Sequence, residues 1–244
     1  MKRQTKQFLL INFIIGYLFF GALVYQNMGF IEILKSPAHL FLLIMGSLSS
    51  FFASAIVYLL NSKDLGGLNG MISEFKIVGS KKSLILIPIF LTGHYFFGLI
   101  LNNIIFYKEF LKHAIFIPVI FLVFASQEIG WRKFVQLEYE NEKGYSKSIV
   151  ITGLFWSLWF LPLIFIRGFI VMPQFFVQFA MYLIGISFLL ASLYRNSKSV
   201  LYSSILLGLI FALAPLFIFK QNYALLVITI LEAVMANSLK DKKF

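Results

Sequence analysis

Gln127-Glu-Ile-Gly-Trp-Arg132 sets a carboxylate and a guanidinium directly after an apolar run, Ile115 to Ala125. An ionised side chain at mid-bilayer costs about 2.5–3.5 kcal/mol on insertion scales, so such a pair marks a reaction site or a structural ion pair. Glu128 stands four residues before Arg132, the spacing and order of a favourable helical pair, and is read as its structural partner. A role as a base is the competing reading. Gln127 beside it is neutral at every pH and a very poor proton acceptor. The three histidines add little. His39 opens one apolar stretch, His94 lies in the middle of another, and His113 falls between two. None has the His-Glu-x-x-His spacing that puts two ligands and a base on one helix face. His94 reads as a packed or hydrogen-bonded side chain, with a site role as the alternative. Glu232, inside the last apolar stretch, has no sequence-local partner, and its surroundings stay open. The chain has no cysteine, hence no thiol chemistry and no disulfide. No metal and no cofactor is expected.

These residues must be positioned by helices in a membrane. The chain is 60% hydrophobic and 13% charged, with a mean hydropathy of +0.88. Soluble domains run nearer about 45–50% apolar and about 25% charged. The fold class is therefore all-α: a polytopic helical bundle forming one integral membrane domain over residues 1–244. A span needs about 20 mostly apolar residues. Eight stretches qualify: 8–25, 37–60, 84–101, 114–137, 148–166, 175–194, 199–219 and 222–238. The fourth is apolar only to Ala125, so its inner third must be shielded by other helices. Residues 8–25 form an apolar run too long for a signal peptide, and Tyr25-Gln-Asn-Met28 is a poor cleavage site, so a retained first helix is expected.

The net charge is +11. In a soluble protein that would suggest nucleic acid; here the positive-inside rule and the anionic inner leaflet account for it. Membrane lipids are expected partners and nucleic acid is not. With the N-terminus inside, only Lys35, Lys108, Lys112, Arg167 and Lys220 of the 21 Lys and Arg residues fall outside. Both termini are then cytoplasmic, and Gln127–Arg132 lies near the cytoplasmic face. Residues 61–82 read as a cytoplasmic turn followed by a short interfacial helix, with Met71, Ile72 and Phe75 apolar. Residues 136–147, with Glu138, Glu140 and Glu142, read as a solvated acidic turn.

The string Gln-Glu-Ile-Gly-Trp-Arg resembles the first motif of the CPBP (CAAX-protease, or Abi) family of intramembrane proteases, Glu-Glu-x-x-x-Arg, with Gln127 in place of the first glutamate. Trp156-Ser-Leu-Trp-Phe-Leu-Pro-Leu163 resembles the second motif, with Phe160 where the family has histidine. The third motif, His-x-x-x-Asn or Asp, lines up with Ser203 to Pro215, which places Phe211 at the histidine and Pro215 at the Asn or Asp. The resemblance covers roughly residues 80 to 238. It implies an eight-helix bundle of the CPBP type.

The resemblance also implies which groups would do the chemistry. The first glutamate and the second-motif histidine would activate water, and the third-motif pair would hold the oxyanion. Loss of one such group costs about 10²–10⁴ in rate. Gln127, Phe160, Phe211 and Pro215 supply none of the four, while Glu128 and Arg132 are retained. The expectation is a catalytically degenerate member, a pseudoenzyme in the bacterial cytoplasmic membrane. It would bind another membrane protein or a hydrophobic peptide, as a regulatory adaptor or in bacteriocin self-immunity. The alternative is an active CAAX-type endopeptidase. Trp131, Trp156 and Trp159 are expected around the former site, with Phe160 and Phe211 filling the water cavity.

Overall fold

A computed structural model of the chain describes residues 2–108, 115–169, 173–220 and 222–241. Lys112, His113, Lys242 and Lys243 lie outside the described residues, as does the start of the fourth apolar stretch. Helices dominate, and each of the eight apolar stretches carries one. The first is α1 (Arg3–Tyr25), followed by α2 (Pro37–Ser47) and α3 (Ser49–Leu60), then the short α4 (Gly67–Ser73). A 3-10 turn at Lys81–Ile85 leads into α5 (Leu86–Ile100). Beyond it come α6 (Ile117–Ala125), α7 (Leu137–Lys143), α8 (Tyr145–Trp159), α9 (Phe176–Ser197), α10 (Val200–Leu213) and α11 (Ala224–Leu239).

Among the described residues, three helical segments are long and apolar enough to cross a membrane: Arg3–Tyr25, Lys81–Ile100 and Phe176–Ser197. The pair α2–α3 makes a fourth if it is one span bent by 50°. Helix α1 shows how such a segment sits. Its 23 residues reach about 34 Å at 1.5 Å per residue. Thr5, Phe8, Leu9, Asn12, Gly16, Phe20 and Leu23 are buried at three- and four-residue spacing. Leu10, Ile14 and Leu18, on the opposite face, are exposed apolar side chains. An apolar outer face is what lipid requires and what water would penalise. Helix α9 is the central one, buried along most of its length and packed on α8, α10 and α11.

The α2–α3 bend falls in Gly46-Ser-Leu-Ser-Ser50, a run of small residues of the kind that kinks helices. Two short strands, β1 (Ile104–Phe106) and β2 (Phe217–Phe219), form an antiparallel ribbon. Helix α10 stops at Leu213, six residues short of its apolar stretch, because Pro215 cannot continue a helix and the chain turns into β2.

Two loop expectations are modified. Residues 61–82 do hold a short helix, α4, which starts at Gly67, and the positive φ angles of Gly66 and Gly67 reverse the chain there. The segment is also stapled to the rest: Val200 N donates to the Glu74 carbonyl and Gly79 N to the Ser197 carbonyl. Residues 136–147 are a solvated turn only in part: 141–144, 146 and 147 are exposed, and the segment before them is helical and partly buried. The helical path runs on to Lys143, Glu138 is buried, and it accepts from the Lys2 backbone N and the Thr5 hydroxyl. The N-terminal turn of α1 covers it, a contact across more than 130 residues that local acidity does not reveal.

Candidate functional site

The Gln127–Arg132 segment rides on one helical path from Ile117 to Lys143. Ser126 and Gln127 keep helical dihedrals, and Trp131–Gln136 widens into a π-turn, in which Leu137 N donates to the carbonyl of Arg132 five residues back. Such π-turns concentrate at functional positions because they re-aim side chains within a helix. Gly130 allows a close approach just before the turn. A Cβ there would lie 2.1 Å from the Phe8 ring and 2.8 Å from Ser50 Oγ, so only glycine lets α1 and α3 pack this near.

Glu128 and Arg132 are both fully buried, and Nε of Arg132 stands 3.1 Å from Oε2 of Glu128. A polar ladder continues along the same face. Arg132 Nη1 donates to Gln136, Gln136 Nε2 donates to Glu140 at 3.4 Å, and Glu140 pairs with Arg195 at 2.9 Å. Arg195 reaches Asp241 at 2.8 Å, near the surface. The buried pair is thus anchored stepwise to a wet end of the bundle. Beside it, Arg195 and Lys240 stand 5.1 and 4.5 Å from the Tyr145 ring centre. Burial, with Glu140 next, pushes the Tyr145 phenol up, so that ring stays neutral.

Gln127 is also fully buried, and its amide is used at both ends. Nε2 donates to the Ser47 carbonyl at 3.2 Å, and Oε1 accepts from Trp156 Nε1 at 3.3 Å. The assignment is forced by chemistry, since an indole N–H can only donate and a carbonyl can only accept. Ser47 ends α2, so its carbonyl lies among those a helix terminus leaves without an in-line partner. Ser50 Oγ in turn donates to the Gln127 carbonyl at 3.0 Å. The bend between α2 and α3 and the Gln127 turn are therefore mutually capped. A carboxylate at 127 could accept from Trp156 but could not donate to Ser47.

Phe160 is the C-cap of α8 and is 4% exposed. It sits in a set of aromatic rings. Phe124 stacks on Phe211 at 3.9 Å and 4° between planes, and both lie 6.5 Å from Phe160. Trp156 is 6.1 Å from Phe160 and 5.9 Å from Phe211, Trp159 is 4.7 Å from Phe160, and Phe179 closes the far side at 5.3 Å. Rings at these separations make one apolar aromatic cluster among α6, α8, α9 and α10. Trp131 is buried too, but its ring contact is with Phe8 of α1 at 5.4 Å, which places it on the α1 side of the motif helix. Trp159 Nε1 donates to Ser49 Oγ, which donates to Asn12 Oδ1, tying α8 to α3 and α1. Pro215 lies off the end of α10 in the turn before β2, so it does not share a helix with Phe211.

Sequence reading missed Phe124, Phe179, Ser47 and Ser49 as parts of this site. The small-residue run at 46–50 was the available signal for the two serines. Nothing local marks the two phenylalanines among thirty. Among the described residues, no three His, Asp or Glu side chains gather in a way that could hold a metal ion.

Residues 109–213 match the family described as type II CAAX prenyl endopeptidase Rce1-like. That match covers less than half of the 244 residues. Its boundaries enclose Gln127–Arg132, Trp156–Leu163 and Phe211, and stop short of Pro215, as the helix itself does. The chain is also similar to CAAX prenyl protease 2 of Methanococcus maripaludis, 36% identical over 56 residues. That similarity covers 22% of this chain and 21% of the relative's length, so the chain matches about a fifth of that curated protein. Within the matched residues, the buried Glu128–Arg132 pair, the Gln127 amide and the Phe160 ring all lie on the helical frame described above.

Proposed function

We propose that this chain is a catalytically silent Rce1-like membrane protein that binds a membrane partner or a hydrophobic peptide instead of cutting it. The observation that carries this reading is Gln127. Its amide is fixed by Ser47 and Trp156, so the position of the motif base has become a hydrogen-bonded joint between α2 and α8. Phe160 and Phe211, stacked with Phe124, occupy the histidine positions with carbon. A water nucleophile there would have neither a base nor oxyanion donors.

The remaining features of the reading rest on charge and composition. The protein crosses the membrane eight times with both termini cytoplasmic. Contacts among Lys2, Glu74, Lys133, Glu138, Arg195 and Asp241 support this, because they gather the segments assigned to the inner side at one end of the bundle. The lipids around it are those of a bacterial cytoplasmic membrane, the partner is protein or peptide and not nucleic acid, and the role is that of an adaptor or of self-immunity to a peptide toxin.

The test uses the full chain purified in micelles and a fluorescent, prenylated peptide ending in a CAAX sequence. A saturable rise in anisotropy with the peptide recovered at intact mass supports the reading. Cleaved peptide, abolished by Glu128→Ala in a preparation shown to be folded, would instead assign the retained carboxylate as a base and the chain as an enzyme.

A further inference from the structure

A second buried polar cluster lies outside the family motifs and joins three helices. His94 is in α5, Glu232 in α11 and Tyr182 in α9, and His94 and Glu232 are fully buried. Nδ1 of His94 is 2.5 Å from Oε1 of Glu232, and Nε2 is 3.2 Å from the Tyr182 hydroxyl. The other carboxylate oxygen, Oε2, has no hydrogen-bond partner in the structure. It abuts Gly185, where a Cβ would lie only 2.1 Å away, so α9 keeps a glycine to admit the carboxylate. The rest of the shell is aromatic. Tyr95, Phe219 and Tyr182 stand 4.9, 5.0 and 5.5 Å from the imidazole centre. The Tyr95 hydroxyl is already committed to the Ile210 carbonyl of α10 at 2.8 Å.

The groups facing the pair are therefore Tyr95 from α5 itself, Tyr182 from α9 and Phe219 from β2. None is a cation or a carboxylate. With one proton between them, His94 and Glu232 form a unit with no net charge, whichever atom carries it. With no proton the unit is an anion, and with two it is a cation. Either would stand in an apolar, aromatic shell without a counter-charge from these neighbours, a strongly unfavourable state. Two coupled groups at this distance titrate as a pair and not as individuals.

We propose that His94 and Glu232 form an intramembrane site for a single proton, which latches α5 to α11 and, through Tyr182, to α9. The site takes a proton and not a metal ion or an amine, because Oε2 lies against Gly185 and the neighbouring rings offer no further carboxylate as a ligand. Its loading makes the packing of the three helices depend on pH, with a broad optimum and losses on either side. The latch is separate from the Gln127 site and stands or falls independently of the pseudoprotease reading.

The experiment uses the full chain in micelles. His39→Gln and His113→Gln leave His94 as the single histidine for ¹⁵N-labelled NMR, and His39 bonds to Ser36 and Gln26, away from the latch. In that background, Glu232→Gln should change the proton affinity of His94 by about tenfold or more, one pH unit in its titration. Thermal midpoints from pH 4 to pH 10 give the second readout. The chain with His94 and Glu232 should show a plateau with a decline at one or both ends. The His94→Gln/Glu232→Gln chain keeps two hydrogen-bonding amides and should lose that dependence. A His94 titration unchanged by Glu232→Gln would overturn the proposal, as would identical pH profiles for the two chains. If the doubly substituted chain fails to fold, the NMR comparison decides alone.

Discussion

Replacing Gln127 by glutamate restores the motif's residue and should harm this protein. The Ser47 carbonyl would lose its donor, and a fully buried acceptor left unmade costs about 1–3 kcal/mol. An ionised carboxylate at this depth adds to that cost, because the Trp156 indole offers one donor and the Ser47 carbonyl offers repulsion. For a chain of this size, 1–3 kcal/mol corresponds to a fall of roughly 2–12 °C in thermal midpoint. The protonated acid can donate to Ser47 and accept from Trp156 as the amide does, so the deficit should shrink at acidic pH and grow at alkaline pH. Scanning calorimetry or tryptophan fluorescence of purified wild type and Gln127→Glu at pH 4.5 and 8 would read both effects. Gln127→Ala is the companion: it removes the donor without adding charge and should show a deficit that does not change with pH. A Gln127→Glu chain as stable as wild type at pH 8 would refute the idea that the amide is a structural joint.

Other expectations follow from the same geometry. Glu128→Ala or Arg132→Ala strands a fully buried charge and should cost about 3–5 kcal/mol, while the double substitution should cost less than the sum, read as folded yield and thermal midpoint in a double-mutant cycle. Strict additivity with wild-type midpoints for both would show that the pair does not hold the fold. Gly130→Ala should lower the midpoint by overpacking against Phe8, at about 1–3 kcal/mol, whereas Gly21→Ala, which meets nothing within 4 Å, should be neutral or stabilising. Because the chain has no cysteine, single cysteines at 35, 108, 167 and 220 should label from outside intact cells, and those at 63, 143 and 198 only after permeabilisation. Reversed labelling at any two positions would break the eight-span topology.

The all-α fold was legible because apolar runs of span length are long signals, and a helix stands at each of the eight. The Glu128–Arg132 contact was legible because its partners are one helical turn apart. What stayed hidden depends on contacts between distant segments. His94 and Glu232 are 138 residues apart, and each alone in its helix resembled a stray polar residue. Glu138 looked solvated because the turn that buries it belongs to α1. Pro215 was placed at the Asn or Asp of the third motif by helix position and small residues, yet its own ring ends the helical path before it. Trp131 was grouped with Trp156 by motif proximity, but the path from Gln127 through the π-turn directs it to Phe8. Pro215 apart, whose effect is local, the sequence carries the residue and only tertiary packing supplies its neighbour.

The proposed reading is of a chain whose residues 109–213 keep the frame of the Rce1-like family without its chemistry. The most direct measurement is single-turnover cleavage of a prenylated CAAX peptide by the purified chain, followed by mass spectrometry over hours at enzyme excess. The account predicts intact peptide from wild type, and intact peptide from Gln127→Glu as well, because base, histidine and oxyanion donors act as a unit and restoring one does not restore the rest. Product formed by wild type through repeated purification, and lost in Glu128→Ala, would contradict it.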